Sequence, residues 1–285
     1  MELINGRKIV YDAYKNKDVI FHINLNNLEW SKAIISVAKS LNKPVIIGAT
    51  PAAIKYCGGF NTVFNMIKGL IIDYQANDLV ILHLDHGKFE DCIKAIEVGF
   101  KSVMYDGSEE DFETNLKNTI KICEIAKLNN CSVEAEVGKI GKSKNSEFYY
   151  GELTKIDEAI KLKNAGVDML AVGIGNIHGE YPENWKGLDF DLLKNLNVNL
   201  NMPLVLHGGS GISKEDLKKS ISLGISKINI NTELQIINAM ALKEYFSNNE
   251  IMQNKNYNPR KLYANSNKAM EDYIKSILLG DWNEN

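Results

Sequence analysis

The chain has 285 residues, 45% of them hydrophobic and 24% charged, with 33 Lys and Arg against 36 Asp and Glu for a net charge of −3. That length fits one large domain with enough apolar material for a full core, and suits a closed βα-barrel of about 250 residues. The charge balance gives no basic footprint for nucleic acid or a membrane surface, and no uncharged apolar run is long enough to cross a bilayer. With no basic-then-apolar leader and with Cys57, Cys92, Cys123 and Cys131 scattered outside any CxxC spacing, the expectation is a cytoplasmic protein with reduced thiols.

Short β-branched runs alternate with longer helical patterns from end to end. Strands are expected at residues 19–25, 44–48, 79–84, 102–105, 132–137, 169–173, 204–207 and 227–230. Between them, residues 28–41, 89–99, 109–129, 156–165 and 213–223 place apolar side chains three and four apart, which is helical spacing. Gly99, Asn129, Gly166 and Gly224 stand where several of these helices should stop. Eight strands alternating with helices predict parallel β/α architecture. A doubly wound sheet usually carries a glycine fingerprint after its first strand, whereas here that strand runs into Asn24-Leu25-Asn26-Asn27. The expected fold is therefore a (β/α)8 TIM barrel, a single domain over residues 1–285. An extra C-terminal helix at 268–279 is introduced by Pro259.

Only five histidines occur, so their placement is informative. His83 and His86 end the third strand, His178 follows the sixth and His207 ends the seventh, which is the rim where barrel active sites form. Three imidazoles with an open fourth position make a catalytic zinc site, and His86, His178 and His207 are the candidate ligands. A lone histidine is more often just a hydrogen-bonded polar residue; His83 reads as supporting or structural, and His22, inside the first strand, has no assigned role. Asp85 lies at the strand mouth beside a candidate ligand, a position suited to an acid/base role. Asp106 follows the fourth strand. Glu134 and Glu136 alternate on one face of the fifth, where charge is costly unless it serves the barrel interior or a metal neighbourhood. Gly208-Gly209-Ser210-Gly211 after the seventh strand and Asn229 to Thr232 at the eighth bracket the usual barrel phosphate site. The lysine-rich runs 142–144 and 214–219 read as solvated surface.

Taken together, HLDHG (83–87), MYDGS (104–108), SVEAEVG (132–138), GVDMLAVGIGNIHGEY (166–181), LVLHGGSGI (204–212) and KININTEL (227–234) resemble the class II fructose-bisphosphate aldolases. Within them the tagatose-bisphosphate aldolase branch is the most similar, and the resemblance runs from about Val19 to the C-terminal helix. It implies that Asp85 is the catalytic proton donor and acceptor and that His86, His178 and His207 hold zinc. It also implies a second or mobile metal position near Asp106 and Glu134, with a monovalent cation as an additional candidate. Dihydroxyacetone phosphate would lie among Gly179, Gly208, Gly209, Ser210, Asn229, Ile230, Asn231 and Thr232. Asn24 and Thr50 match active-site residues after the first two strands, and Arg260 matches an arginine that reaches the far phosphate in some members. A homodimer or homotetramer is implied.

One stretch departs from the resemblance. After SVEAEVG the family carries an acidic mobile loop whose glutamate moves the proton at the triose-phosphate carbon. Here that stretch is short and basic, and Glu147 is the only acid between Gly138 and Gly151. Glu147 is therefore the candidate for that step. Asn231 and Glu233 also vary at the phosphate rim. The expected reaction is reversible cleavage of fructose or tagatose 1,6-bisphosphate into dihydroxyacetone phosphate and glyceraldehyde 3-phosphate. The alternatives are an aldolase of another phosphorylated keto sugar or keto acid, of the inositol-catabolism type, and a weakly active barrel serving as a partner subunit.

Overall fold

The eight β-rich runs form strands that close on themselves. A computed structural model describes residues 2–144 and 147–280, and of Lys144 and Glu147 the backbone only. In chain order the strands are β1 (Ile20–Asn24), β2 (Val45–Ala49), β3 (Val80–Gly87), β4 (Ser102–Tyr105), β5 (Ser132–Val137), β6 (Gly141–Lys144), β7 (Glu147–Tyr149), β8 (Met169–Val172), β9 (Ile177–His178), β10 (Leu204–Leu206) and β11 (Ile225–Ile230). β1, β2, β3, β4, β5, β8, β10 and β11 pair in that cyclic order as a closed parallel barrel. All eight expected strands are its staves, and the fold is a (β/α)8 barrel.

Local chemistry starts and stops the surrounding helices as expected. Asn27, Asp111, Asp189 and Ser213 accept backbone N–H groups at the starts of Leu28–Leu41, Phe112–Leu128, Phe190–Leu200 and Lys214–Ser222. Gly99 ends Phe89–Val98 in the left-handed conformation that glycine adopts without steric cost. The tail helix starts earlier than expected, spanning Ala264–Leu279, and lies against the helix Leu28–Leu41 and the helix Thr232–Asn248.

Two features were not expected from sequence. The helix Arg7–Asn16 plugs one end of the barrel: Val10 and Ala13 pack with Ile20, Ile46, Ile81, Met104, Met169 and Val205. The basic stretch after β5 forms a hairpin, β6 antiparallel to β7, and β6 pairs parallel with β9 with Lys142 opposite His178. The short basic segment after β5 is thus stitched to the strand that carries a candidate metal ligand.

Above the apolar plug each strand steps inward every second residue. From Ile20 the next inward residues are His22 and Asn24, from Ile81 they are His83 and Asp85, and from Ser132 they are Glu134 and Glu136. Lys227 and Asn229 do the same on β11. The barrel therefore passes from apolar to polar along its axis, and His22, His83, Glu134 and Lys227 are fully buried. Gly48 makes room for one of them, since a Cβ there would lie 1.7 Å from His22 Nε2.

Candidate active site

β3 supplies the first ligand candidate through a local irregularity. Its pairing with β4 slips between Leu84 and Gly87, and His86 takes a left-handed φ of 52°. A non-glycine residue there carries strain on the order of 1–3 kcal/mol, which surrounding contacts must hold. His86 Nδ1 is held by Asp106 Oδ2 at 2.9 Å. Asp106 in turn accepts the N–H and hydroxyl of Ser108 at 3.1 and 2.6 Å.

His178, on β9, and His207, one residue past β10, complete the trio. The three rings are mutually edge-on, with centroids 4.8 to 5.6 Å apart. One nitrogen from each lies within 4.8 Å of the others. Among the described residues His178 Nε2 is buried without a hydrogen-bond partner. A buried lone pair left unpaired is costly, and an ion at the convergence point would satisfy it. The residues fit a tetrahedral metal with one open position.

Electrostatics around the trio have two signs. Burial drives the His178 and His207 imidazoles well below their ordinary value, keeping them neutral as metal ligation requires. Burial also opposes charge on His86, but the Asp85 charge and the Asp106 hydrogen bond overcome it and push the group up to about 9. Ion uptake should therefore displace a proton from His86. Glu136 is pushed up to about 7, first by burial and then by the Asp106 charge.

Asp85 sits 3% exposed beside the trio. Its Oδ2 accepts from Asn24 Nδ2 at 2.7 Å, Asn229 Nδ2 lies 3.5 Å from Oδ1, and His86 Nε2 lies 3.9 Å from Oδ1. Burial alone would raise its pKa. The neighbouring charges of His86 and Lys227, with the Asn24 hydrogen bond, outweigh burial and lower it instead. Asp85 is thereby held anionic at the mouth.

The other expected site residues divide. Asn24 and Asn229 belong to the site, through Asp85 and through the 3.2 Å approach of Asn229 Nδ2 to His207 Nδ1. Tyr181, which sequence reasoning passed over, donates to the Gly208 carbonyl at 2.7 Å and accepts Ile177 N–H at 3.0 Å, tying the glycine turn to β9. A Cβ at Gly208, where φ is 65°, would lie 2.1 Å from the Ile177 carbonyl oxygen. In the same turn the Gly209 amide is taken by the Asn229 carbonyl and the Gly211 amide by Glu233. Two of the expected phosphate donors are therefore occupied. Ser210 Oγ faces the Asn231 amide at 3.4 Å. The helix Thr232–Asn248 begins there with no side-chain cap, leaving a helix N-terminus suited to an anion. Ile230 is buried at the end of β11, and Gly179 abuts Ser143 of the hairpin.

Thr50 accepts Ala53 N–H at 3.2 Å as the cap of Pro51–Tyr56. Arg260 is exposed in the short helix Pro259–Leu262 and has no described contact with the histidines. Glu147 opens β7, and its side chain lies outside the described residues. The group seated with His86 and Asp106 is Glu136, with its Oε2 3.9 Å from His86 Nδ1. Glu134, expected there, lies one inward step deeper and bonds His207 Nε2 at 2.8 Å and Lys227 Nζ at 2.5 Å. Alternation put both carboxylates inside, but only the depth of each along the barrel separates their partners.

Comparison with known proteins places the chain in a family. Residues 4–279 match the family described as fructose-bisphosphate aldolase class-II. The chain is 46% identical to a fructose-bisphosphate aldolase of Ureaplasma parvum over 95% of this chain and 94% of that one. It is 43% identical to one of Mycoplasma pneumoniae over 99% of each. Among solved structures, the YdjI aldolase of Escherichia coli is similar with a TM-score of 0.81 at 30% identity, covering 98% of this chain and 97% of that one. No described helix is long and apolar enough to cross a membrane. The chain belongs to the class II fructose-bisphosphate aldolase family, carbon–carbon lyases built here on a closed eight-stranded barrel.

Proposed function

We propose that the protein is a zinc-dependent ketose-bisphosphate aldolase, with His86, His178 and His207 as the ligands. Its substrate would be fructose 1,6-bisphosphate, or the 4-epimer tagatose 1,6-bisphosphate. The observation that carries this reading is the convergence of three imidazole nitrogens, one buried and unpaired, beside an anionic carboxylate. Zinc, when bound, supplies Lewis-acid stabilisation of negative charge developing on the ketone oxygen.

The chain's own residues supply the rest. Asp85 accepts the proton of the hydroxyl on the carbon that becomes the aldehyde. As the carbon–carbon bond breaks, its electron pair passes to the triose-phosphate half. Asn24 holds the Asp85 carboxylate in place, and Asn229 lies between it and His207. Ser210 and the uncapped N-terminus of Thr232–Asn248 would receive a phosphate, supplying orientation and binding energy remote from the reacting atoms. Glu147 is assigned the proton returned to the triose-phosphate carbon. His86, Asp106 and Glu136 would offer the second metal position, and Arg260 is assigned to the far phosphate. Glycolytic use in the cytoplasm as a homo-oligomer goes with this reading.

Cleavage of fructose and tagatose 1,6-bisphosphates, measured side by side with and without chelator, tests the proposal. Chelator-sensitive release of triose phosphate from at least one is expected. Release from neither, by protein of verified zinc content, would overturn it.

A further inference from the structure

Lys227 was unassigned in the sequence, and the structure buries its ammonium completely inside the barrel. Its Nζ lies 2.5 Å from Glu134 Oε2 and 3.4 Å from His83 Nε2. The other Glu134 oxygen, Oε1, is 2.8 Å from His207 Nε2. An ionised carboxylate only accepts hydrogen bonds, so Nε2 is the protonated nitrogen of His207. The remaining nitrogen, Nδ1, then carries the lone pair, and it is Nδ1 that faces His86 Nε2 at 3.1 Å inside the trio. β11, β5 and β10 are thus linked in one line, Lys227 to Glu134 to His207.

We propose that Lys227 is a positioning residue for the metal: by anchoring Glu134 it fixes the tautomer and ring orientation of His207, so that Nδ1 is presented to the ion. Three observations support this over a purely structural ion pair. Glu134 spends one oxygen on each partner rather than both on the lysine. The His207 carbonyl is held separately by Asn176 Nδ2 at 3.0 Å, so the backbone is fixed and the ring is what Glu134 adds. The ammonium also approaches His83 Nε2, and His83 Nδ1 bonds Ser102 Oγ at 2.7 Å, so the lysine head is placed from two sides. Hydrogen-bond partners of this kind commonly change metal affinity about 10–100-fold when removed.

The inference rests on the metal reading above, and the test separates the two. Zinc affinity is measured by competition with a chromophoric chelator, and ligand geometry by the visible absorption of the cobalt(II)-substituted protein. Parent protein that takes up neither ion would overturn the metal reading itself. If the parent binds zinc, Lys227→Met should bind about 10–100-fold more weakly with an altered cobalt spectrum. Parent affinity with an unchanged spectrum would overturn the role of Lys227. Should Lys227→Met fail to fold, Glu134→Gln is compared with the double variant Glu134→Gln/Lys227→Met, in which no uncompensated carboxylate is left buried. Lys227 acts through Glu134, so the double variant should bind zinc as Glu134→Gln does. A further loss of about tenfold or more would contradict a route through Glu134.

Discussion

Asp85→Asn removes the proposed proton acceptor while leaving its surroundings nearly isosteric. The residue is 3% exposed, so the substitution opens no cavity, and the amide still offers an oxygen to Asn24 Nδ2, now 2.7 Å from Oδ2. What disappears is a carboxylate held anionic by its neighbours. Loss of a positioned general base lowers kcat by about 10²–10⁴, or roughly 3–5 kcal/mol of barrier. Asn24→Ala takes away only the hydrogen bond to that carboxylate, a charge-assisted contact worth about 1.5–3 kcal/mol, which caps its effect at roughly 10–150-fold. The expected order is therefore a larger loss for Asp85→Asn than for Asn24→Ala, with zinc content unchanged in both. Steady-state release of triose phosphate, together with metal analysis of the same samples, checks it. Near-parent turnover in Asp85→Asn would refute the assignment, and a parallel loss of zinc would move Asp85 into the coordination shell.

Other outcomes follow from the same geometry. His178→Ala and His207→Ala should each emerge from chelator treatment and zinc return without retained metal, as metal analysis would show; full retention by either removes it from the ligand set. Glu147→Gln should slow deuterium uptake from solvent into dihydroxyacetone phosphate more than it weakens binding of that ligand, and parent uptake rates would point instead to the exposed Glu180. Glu136 gives a pH test in metal-free protein. Burial and then the Asp106 charge raise it from 4.5 to about 7, so the folded state holds that proton more tightly than the unfolded chain. The resulting stability is fully present below pH 4.5 and is lost as pH rises to about 7, a change on the order of 3 kcal/mol. Urea unfolding of Glu136→Gln should lack that loss, whereas parallel pH profiles for the two proteins would contradict it.

Much of this site was legible because histidine is rare in the chain and strand ends are identifiable. Hydrophobic runs located all eight staves, and the rim position of His86, His178 and His207 then followed from barrel geometry. Depth inside the barrel was not legible. Glu134 and Glu136 differ by one inward step, and which of them meets Asp106 depends on the stagger of neighbouring strands. Lys227 was hidden for a related reason: a lysine opening an apolar run reads as a solvated strand end, and its partner lies 93 residues earlier in sequence. Breaking such a buried pair from one side costs about 3–5 kcal/mol, so its burial is a tertiary fact with no local pattern. The β6–β7 hairpin was equally hidden, because Gly141-Lys142-Ser143-Lys144 carries no strand propensity and is held by β9. Thr50 is seen in the structure as a helix cap, a role that a hydroxyl before Pro51 could have suggested from sequence.

The metal assignment is tested most directly by fructose 1,6-bisphosphate cleavage in protein stripped of metal and then given one equivalent of zinc. The three-histidine site predicts that activity falls to background on stripping and returns with the single equivalent. Undiminished turnover in a sample verified metal-free, accompanied by borohydride trapping of substrate on a lysine, would contradict it.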